Sequence, residues 1–195
     1  MPEMGIPIFL KMARAAMTTR RAGNDGQRGF TLIELLVVSG IIGLIGAIAI
    51  PALLRAKITA NETAIIGSMR AVNSAQAAYA SSASNGGYAT DFTILTRSCP
   101  GGSQGFLSPD LAGDPAQKTG YFISLGPGAT GAGPTGCNGE ATGLSYYLSA
   151  VPITVRLTGH RAFGATSPGV IYFDPNGVAP TEAQMRPGGS GTPIQ

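Results

Sequence analysis

Charge is scarce in this chain: only 12% of its 195 residues are charged, and histidine occurs once, at His160. A lone histidine excludes a multi-histidine metal centre, and no G-x-S-x-G, H-E-x-x-H or Walker-type phosphate loop is present. Hydrolase, zinc-protease and nucleotide-hydrolysing classes built on those motifs fall away. GPG at 126–128 reads as a loop, and His160 and Arg161 read as surface residues at a strand edge. Asp110, Asp114 and Asp174 lack the spacing of an EF-hand, so no metal site is assigned. We expect a protein that is not an enzyme and needs no cofactor. Aromatics are also missing between Phe30 and Tyr79, which leaves a stacked aromatic ladder along that segment without support.

The charge that exists is unevenly placed. Residues 1–29 hold five bases (Lys11, Arg14, Arg20, Arg21, Arg28) and two acids (Glu3, Asp25), which accounts for the whole formal charge of +3. Beyond them acids and bases balance, and no Lys/Arg cluster with interleaved aromatics occurs. The pI of about 9.1 therefore belongs to the leader, and direct nucleic-acid binding is not indicated.

From 30 to 54 the chain is apolar apart from Glu34, Thr31 and Ser39. A helix of this length reaches about 37 Å at about 1.5 Å per residue, enough to cross a hydrocarbon core of about 30 Å. A buried core helix is the alternative, although the run is long for one. A cleaved secretory signal is another, with AIAIPALLRA imitating its cleavage region. Bases before the run outnumber Arg55 and Lys57 after it, so the N-terminus is expected to stay in the cytoplasm and the bulk of the chain to lie outside it. Glu34 is the anomaly, because a charge in lipid costs about 2.5–3.5 kcal/mol or more. It either snorkels to the headgroups or has a partner.

The run RGFTLIELLVV, with Gly29, Phe30 and Glu34 in that order, resembles the prepilin signature of type IV pilins and type II secretion pseudopilins. The resemblance covers 28–54. It implies cleavage between Gly29 and Phe30 by a prepilin peptidase and N-methylation of Phe30. It also implies assembly of a homopolymeric filament in which Glu34 offsets the terminal amine of a neighbouring subunit. The absence of a side chain at Gly29 suits a tight peptidase site. A start at Met17 would give the short basic leader MTTRRAGNDGQRG. The implied partners are further copies of the chain, the peptidase, the membrane, and the machinery of a pilus or of secretion.

Ser39, Gly43, Ala47 and Pro51 recur every fourth residue and form one stripe of small residues, suited to close helix packing in lipid. Pro51 removes the amide that would bond Ala47, which predicts a kink or unwinding near 47–51. Ile58, Ile65, Met69, Val72 and Tyr79 then mark one apolar face, so the helix is expected to continue to about Ser82 and end in SASNGG. The sequon NET at 61–63 reads as a chance match within a helix. After it, GYATDFTIL reads as a connection, and short strands are expected near 119–125, 144–153, 160–165 and 169–174. Pro152 suggests an edge or bulge, and DPNG a turn.

The expected fold is α+β: a long N-terminal helix, transmembrane in its first half and amphipathic in its second, packed on a small antiparallel β-sheet in a pilin fold. The parts are a leader at 1–29, a transmembrane and assembly helix at 30–54, and its amphipathic continuation at 55–84. A β domain at 85–175 and a flexible tail at 176–195 follow. Cys99 and Cys137 are the only cysteines. An oxidising compartment favours a disulfide, worth about 4 kcal/mol by loop-closure entropy, and two free thiols are the alternative. The leading expectation is a type IV pilus-like structural subunit. A pseudopilin acting as a periplasmic piston is second, and a membrane-anchored periplasmic binding module that never polymerises is third.

Overall fold

The computed structural model describes residues 29–194. Residues 1–28 of the leader, and with them the alternative start at Met17, lie outside the described residues. Two compact units meet at Gly43/Leu44.

In the first unit the chain enters helix α1 (Leu32–Ser82). Its large apolar side chains, among them Leu35, Leu36 and Ile42, are all exposed. A helix that is apolar all round has no inward face to choose within a small domain.

The second unit opens with the rest of α1, which stays helical through Ala47 and Pro51. Ile58, Ile65, Met69, Val72 and Tyr79 are all buried, as their spacing predicts. Each such side chain contributes about 1.5–3 kcal/mol of burial. The helix ends at Ser82, and Asn85 (φ 49°) and Gly86 (φ 99°) turn the chain away. The Gly86 amide donates to the Ala80 carbonyl at 2.7 Å and so closes the last turn.

Next come β1 (Tyr88–Ala89) and α2 (Phe92–Thr96), whose N-cap Asp91 accepts from the Thr93 amide. A 3-10 turn at Pro109–Leu111 leads to β2 (Ala116–Lys118) and β3 (Tyr121–Pro127). β4 (Thr142–Gly143) pairs with β1 as a separate ribbon. β5 (Tyr146–Pro152), β6 (Ala162–Thr166) and β7 (Ile171–Asp174) complete the expected strands. α3 (Glu182–Met185) and β8 (Thr192–Pro193) end the described chain. The main sheet is antiparallel in the order β2-β3-β5-β6-β7-β8.

Alternation sets the inner face. Tyr121, Ile123 and Leu125 on β3, and Tyr146, Leu148 and Ala150 on β5, share one core with Ile65, Met69, Val72 and Tyr79 of α1. The outcome is a pilin-like α+β arrangement of helix on antiparallel sheet.

The strand bounds differ from expectation for local reasons. Thr119 (φ 48°) and Gly120 (φ 78°) are not strand but the two-residue turn of the β2–β3 hairpin. β6 starts at Ala162 instead of His160, because the His160 and Arg161 amides bond a carboxylate of α1. Pro152 pairs with Tyr121, and the β5–β6 ladder stops at Ala150, so no neighbour needs the proline's missing amide. The stretch 176–195 was expected to be a flexible tail. Through 194 it instead carries α3, closed by a Thr181/Gln184 capping box, and β8 on the sheet edge. Gly164 in β6 makes room for this segment, since a Cβ there would lie 2.9 Å from the Met185 sulfur.

Candidate functional site

Phe30 and Glu34 stand at the start of α1, and both are exposed. The Thr31 amide and Thr31 hydroxyl donate to Glu34 Oε2 at 2.9 and 2.7 Å, and the Glu34 amide donates to Thr31 Oγ1 at 3.2 Å. This reciprocal pattern is a capping box, and Thr31-Leu32-Ile33-Glu34 spells its T-x-x-E signature. Beside the assembly role that the resemblance implies for Glu34, the acid thus has a local role that the T-x-x-E spacing signals. The box satisfies orphan amides of the first turn and puts the carboxylate beside the positive end of the helix. Oε1 accepts no side-chain or capping bond among the described residues, so Glu34 keeps one oxygen for another donor.

Further along, Ser39 donates its hydroxyl to the Leu36 carbonyl at 2.9 Å, which leaves the stripe with no unsatisfied donor there. A Cβ added at Gly40, Gly43 or Gly46 would meet nothing within 4 Å. These glycines are not required by any contact among the described residues.

Beyond the apolar run, α1 grips the domain through polar side chains that the sequence reading passed over. Glu62 is only 6% exposed. Its Oε1 accepts the His160 and Arg161 amides at 2.8 and 3.1 Å, and its Oε2 accepts Arg161 Nε at 2.9 Å and Nη2 at 2.8 Å. Burial alone would raise the Glu62 pKa, but the two amides and the guanidinium outweigh it and hold the carboxyl below its ordinary value. Arg161 also lies over the rings of Phe163 and Phe173, at 5.6 and 5.2 Å. His160 has an exposed side chain, whereas Arg161 is a half-buried ion-pair partner and not the free surface residue expected.

Asn61 donates to the Thr158 carbonyl at 2.9 Å, so the amide of the NET sequon is engaged within the fold. Asn73 donates to the Gly169 carbonyl and accepts from the Tyr146 hydroxyl. Gln76, fully buried, bonds both the amide and the carbonyl of Ala89. The signal for Glu62 and Gln76 was their position inside the apolar stripe, where a polar side chain needs a partner.

At the C-terminal end of α1, Tyr79 donates to Glu140 Oε1 at 2.6 Å and meets the Phe106 ring edge-on at 5.5 Å. Burial, then the acceptor Glu140, raises the Tyr79 pKa far above its ordinary value. Cys99 and Cys137 form a disulfide beside this pair, with Cα atoms 5.6 Å apart. Asn138 spans the same two loops by donating to the Ser98 carbonyl. Gly136 has no alternative here, because a Cβ would fall 2.1 Å from the Tyr79 oxygen.

The three aspartates considered for a cation are dispersed in use. Asp110 pairs with Lys118 at 2.5 Å, and Asp174 accepts from the Asn176 amide at 2.7 Å. Burial raises the Asp114 pKa. Among the described residues no group of three or more His, Cys, Asp or Glu side chains is placed to hold a metal.

The geometry is that of a helix whose start is capped by its own acid, whose first half is uncovered, and whose second half is clamped to a sheet. Among known families, residues 24–50 match the Prokaryotic N-terminal methylation motif. The chain carries a prepilin-type N-terminus, consistent with the pilin and pseudopilin family. No curated protein and no solved structure matches it. One described helix, α1, is long and apolar enough to cross a membrane, and none of its most apolar 18-residue window is buried. Both features are consistent with a membrane-anchored precursor.

Proposed function

We propose that this chain is the structural subunit of a type IV pilus-like filament, made as a membrane-stored precursor and polymerised through α1. The observation that carries this reading is the methylation motif at 24–50 placed at the head of a helix whose apolar half has no cover among the described residues. In the precursor, residues 1–29 are the cytoplasmic leader and 30–54 span the inner membrane. The domain that follows lies in the periplasm. A prepilin peptidase cuts after Gly29, and Phe30 becomes the methylated terminus.

Glu34 then pairs with the terminal amine of a neighbouring copy. Its capping bonds use Oε2, which leaves Oε1 for that amine. A charge pair in a low-dielectric bundle recovers part of the desolvation cost that a lone carboxylate cannot. The stripe Ser39, Gly43, Ala47 and Pro51 lets neighbouring helices approach, and its loosening at 47–51 belongs to the assembled state. Repetition of one contact between identical chains yields a helical polymer, with no catalysis or cofactor needed.

N-terminal sequencing of the mature protein tests the cut: methylated Phe30 is expected, and a mature chain starting elsewhere would refute it. Replacing Gly29 with a bulky residue should leave unprocessed precursor, whereas Glu34→Ala should still be processed and fail in assembly. Crosslinking between 30–34 of different copies separates a polymer from a lone anchored module. Recovery in the sheared extracellular fraction separates a surface filament from a periplasmic piston.

A further inference from the structure

We propose that the end of the β-sheet nearest the apolar run docks on an anionic bilayer surface. Val155, Leu157 and Val178 enter its headgroup region, and Arg55, Lys57 and Arg156 engage its phosphates. The proposal rests on 30–54 being membrane-spanning.

Topology sets which end this is. β3 begins, β5 ends, β6 begins and β7 ends there, as the pairs Tyr121↔Pro152 and Ala162↔Asp174 show. The same end is tied to α1 at one level, through Asn61 to the Thr158 carbonyl and through Glu62 to the His160 and Arg161 amides. Asn61 follows Leu54 by seven residues, an axial rise of about 10 Å. An interfacial element buries its apolar face about 5–10 Å into the boundary. The loop between β5 and β6 thus lies within reach of the headgroups without any rearrangement.

Its exposed side chains suit that place. Among the described residues that follow α1, the two most exposed large apolar ones are Val178 (67%) and Leu157 (61%), and both are at this end. Val155 joins them: it is exposed, and a Cβ on Gly177 would lie 2.8 Å from its methyl group. The loop presents them stiffly. Arg156 holds φ at 69° and its amide donates to the Gly159 carbonyl at 2.7 Å.

The charge is complementary to anionic lipid. Arg55, Lys57 and Arg156 are exposed and form no ion pair among the described residues. Of the acids at this end, Glu62 is taken up by Arg161, and Asp174 is half-buried and accepts the Asn176 amide. Apolar side chains flanked by free bases are the composition of an interfacial anchor, not of a surface meant for water.

The test uses the full chain, its disulfide intact, reconstituted in vesicles of phosphatidylcholine mixed with phosphatidylglycerol. An environment-sensitive fluorophore is placed at Thr154→Cys, with Val170→Cys at the opposite sheet end and Ile45→Cys in the apolar run as references. In the vesicles the probes at 154 and 45 should emit to the blue of that at 170, and doxyl-labelled lipid should quench 154 and 45 and leave 170 unaffected. Arg156→Gln, or omission of phosphatidylglycerol, should lower the ratio of quenched to free probe at 154. Loss of one base at an anionic surface corresponds to about fivefold. A quenched 45 with an unquenched 154 overturns this proposal alone. An unquenched 45 overturns the membrane-spanning reading with it. Shielding at 154 that needs high protein density and is insensitive to doxyl lipid would identify a second copy as the occupant and overturn the lipid assignment.

Discussion

The two halves of α1 are made of similar helix and meet opposite fates. Between 32 and 54, the large apolar side chains each keep 49–81% of their surface exposed. Between 58 and 79, Ile65, Met69, Val72 and Tyr79 keep none, and polar residues share their face. The more apolar half is the uncovered one. Hydrophobicity therefore does not decide burial within this chain; what decides it is whether the apolar residues gather on one side. The second half offers a single face that a six-stranded sheet can seal. The first half offers apolar surface in every direction, which only lipid or other helices can cover.

That contrast can be broken at several points. The largest effect is expected where covalent closure supports the sealed half. Replacing Cys99 and Cys137 by Ser should lower unfolding stability by about 4 kcal/mol, read from urea titration in detergent. Met69→Ala comes next, at about 3 kcal/mol, because it opens a cavity in the sealed face. Ile42→Ala in the uncovered half should change the same measurement by no more than about 0.5 kcal/mol. Equal effects at 69 and 42 would erase the distinction between the halves.

Glu62→Gln follows, at about 2 kcal/mol, since an amide cannot replace a carboxylate that accepts two backbone amides and a guanidinium. The folded pKa of Glu62 is depressed, so its contribution is complete above the ordinary carboxylate range and is lost as pH falls through the folded value. Wild type should therefore lose more stability than Glu62→Gln on acidification below about pH 4.5. Parallel pH profiles would show that the ion pair contributes nothing. The smallest effect belongs to the helix start: Thr31→Val should cost about 1 kcal/mol of local helix stability, seen as faster amide exchange in the first turn. The proposed cleavage after Gly29 should persist in that variant, because the cap acts on helix geometry and leaves residues 29 and 30 unaltered.

Legibility followed the range of the cause. The face running from Ile58 to Tyr79 was readable because helical periodicity is written over consecutive turns, and β3, β5, β6 and β7 were readable from short β-rich runs between turn residues. β2 and β8 were not, at three and two residues, because so short a stretch carries no period. α3 was hidden in a segment rich in Pro and Gly whose order comes from packing Met185 against Gly164. Glu62 looked like an ordinary charge on a helix. Its place inside the apolar stripe signals that it needs a partner, but the partners lie 98 and 99 residues away, and no local pattern says which residues they are. The T-x-x-E cap, by contrast, is fully local, with donor and acceptor three residues apart.

By itself, the sequence determined the N-terminal methylation motif at 24–50, the apolar run, the capped helix entry and the face the second half would bury. These depend on neighbours three or four residues apart, which one turn of helix brings together. Tertiary structure alone decided that Arg161 would neutralise Glu62, that β8 would close the sheet edge, and that Val155, Leu157 and Val178 would gather at one end. Those outcomes depend on strands that meet across long separations, and only the folded sheet brings them within reach.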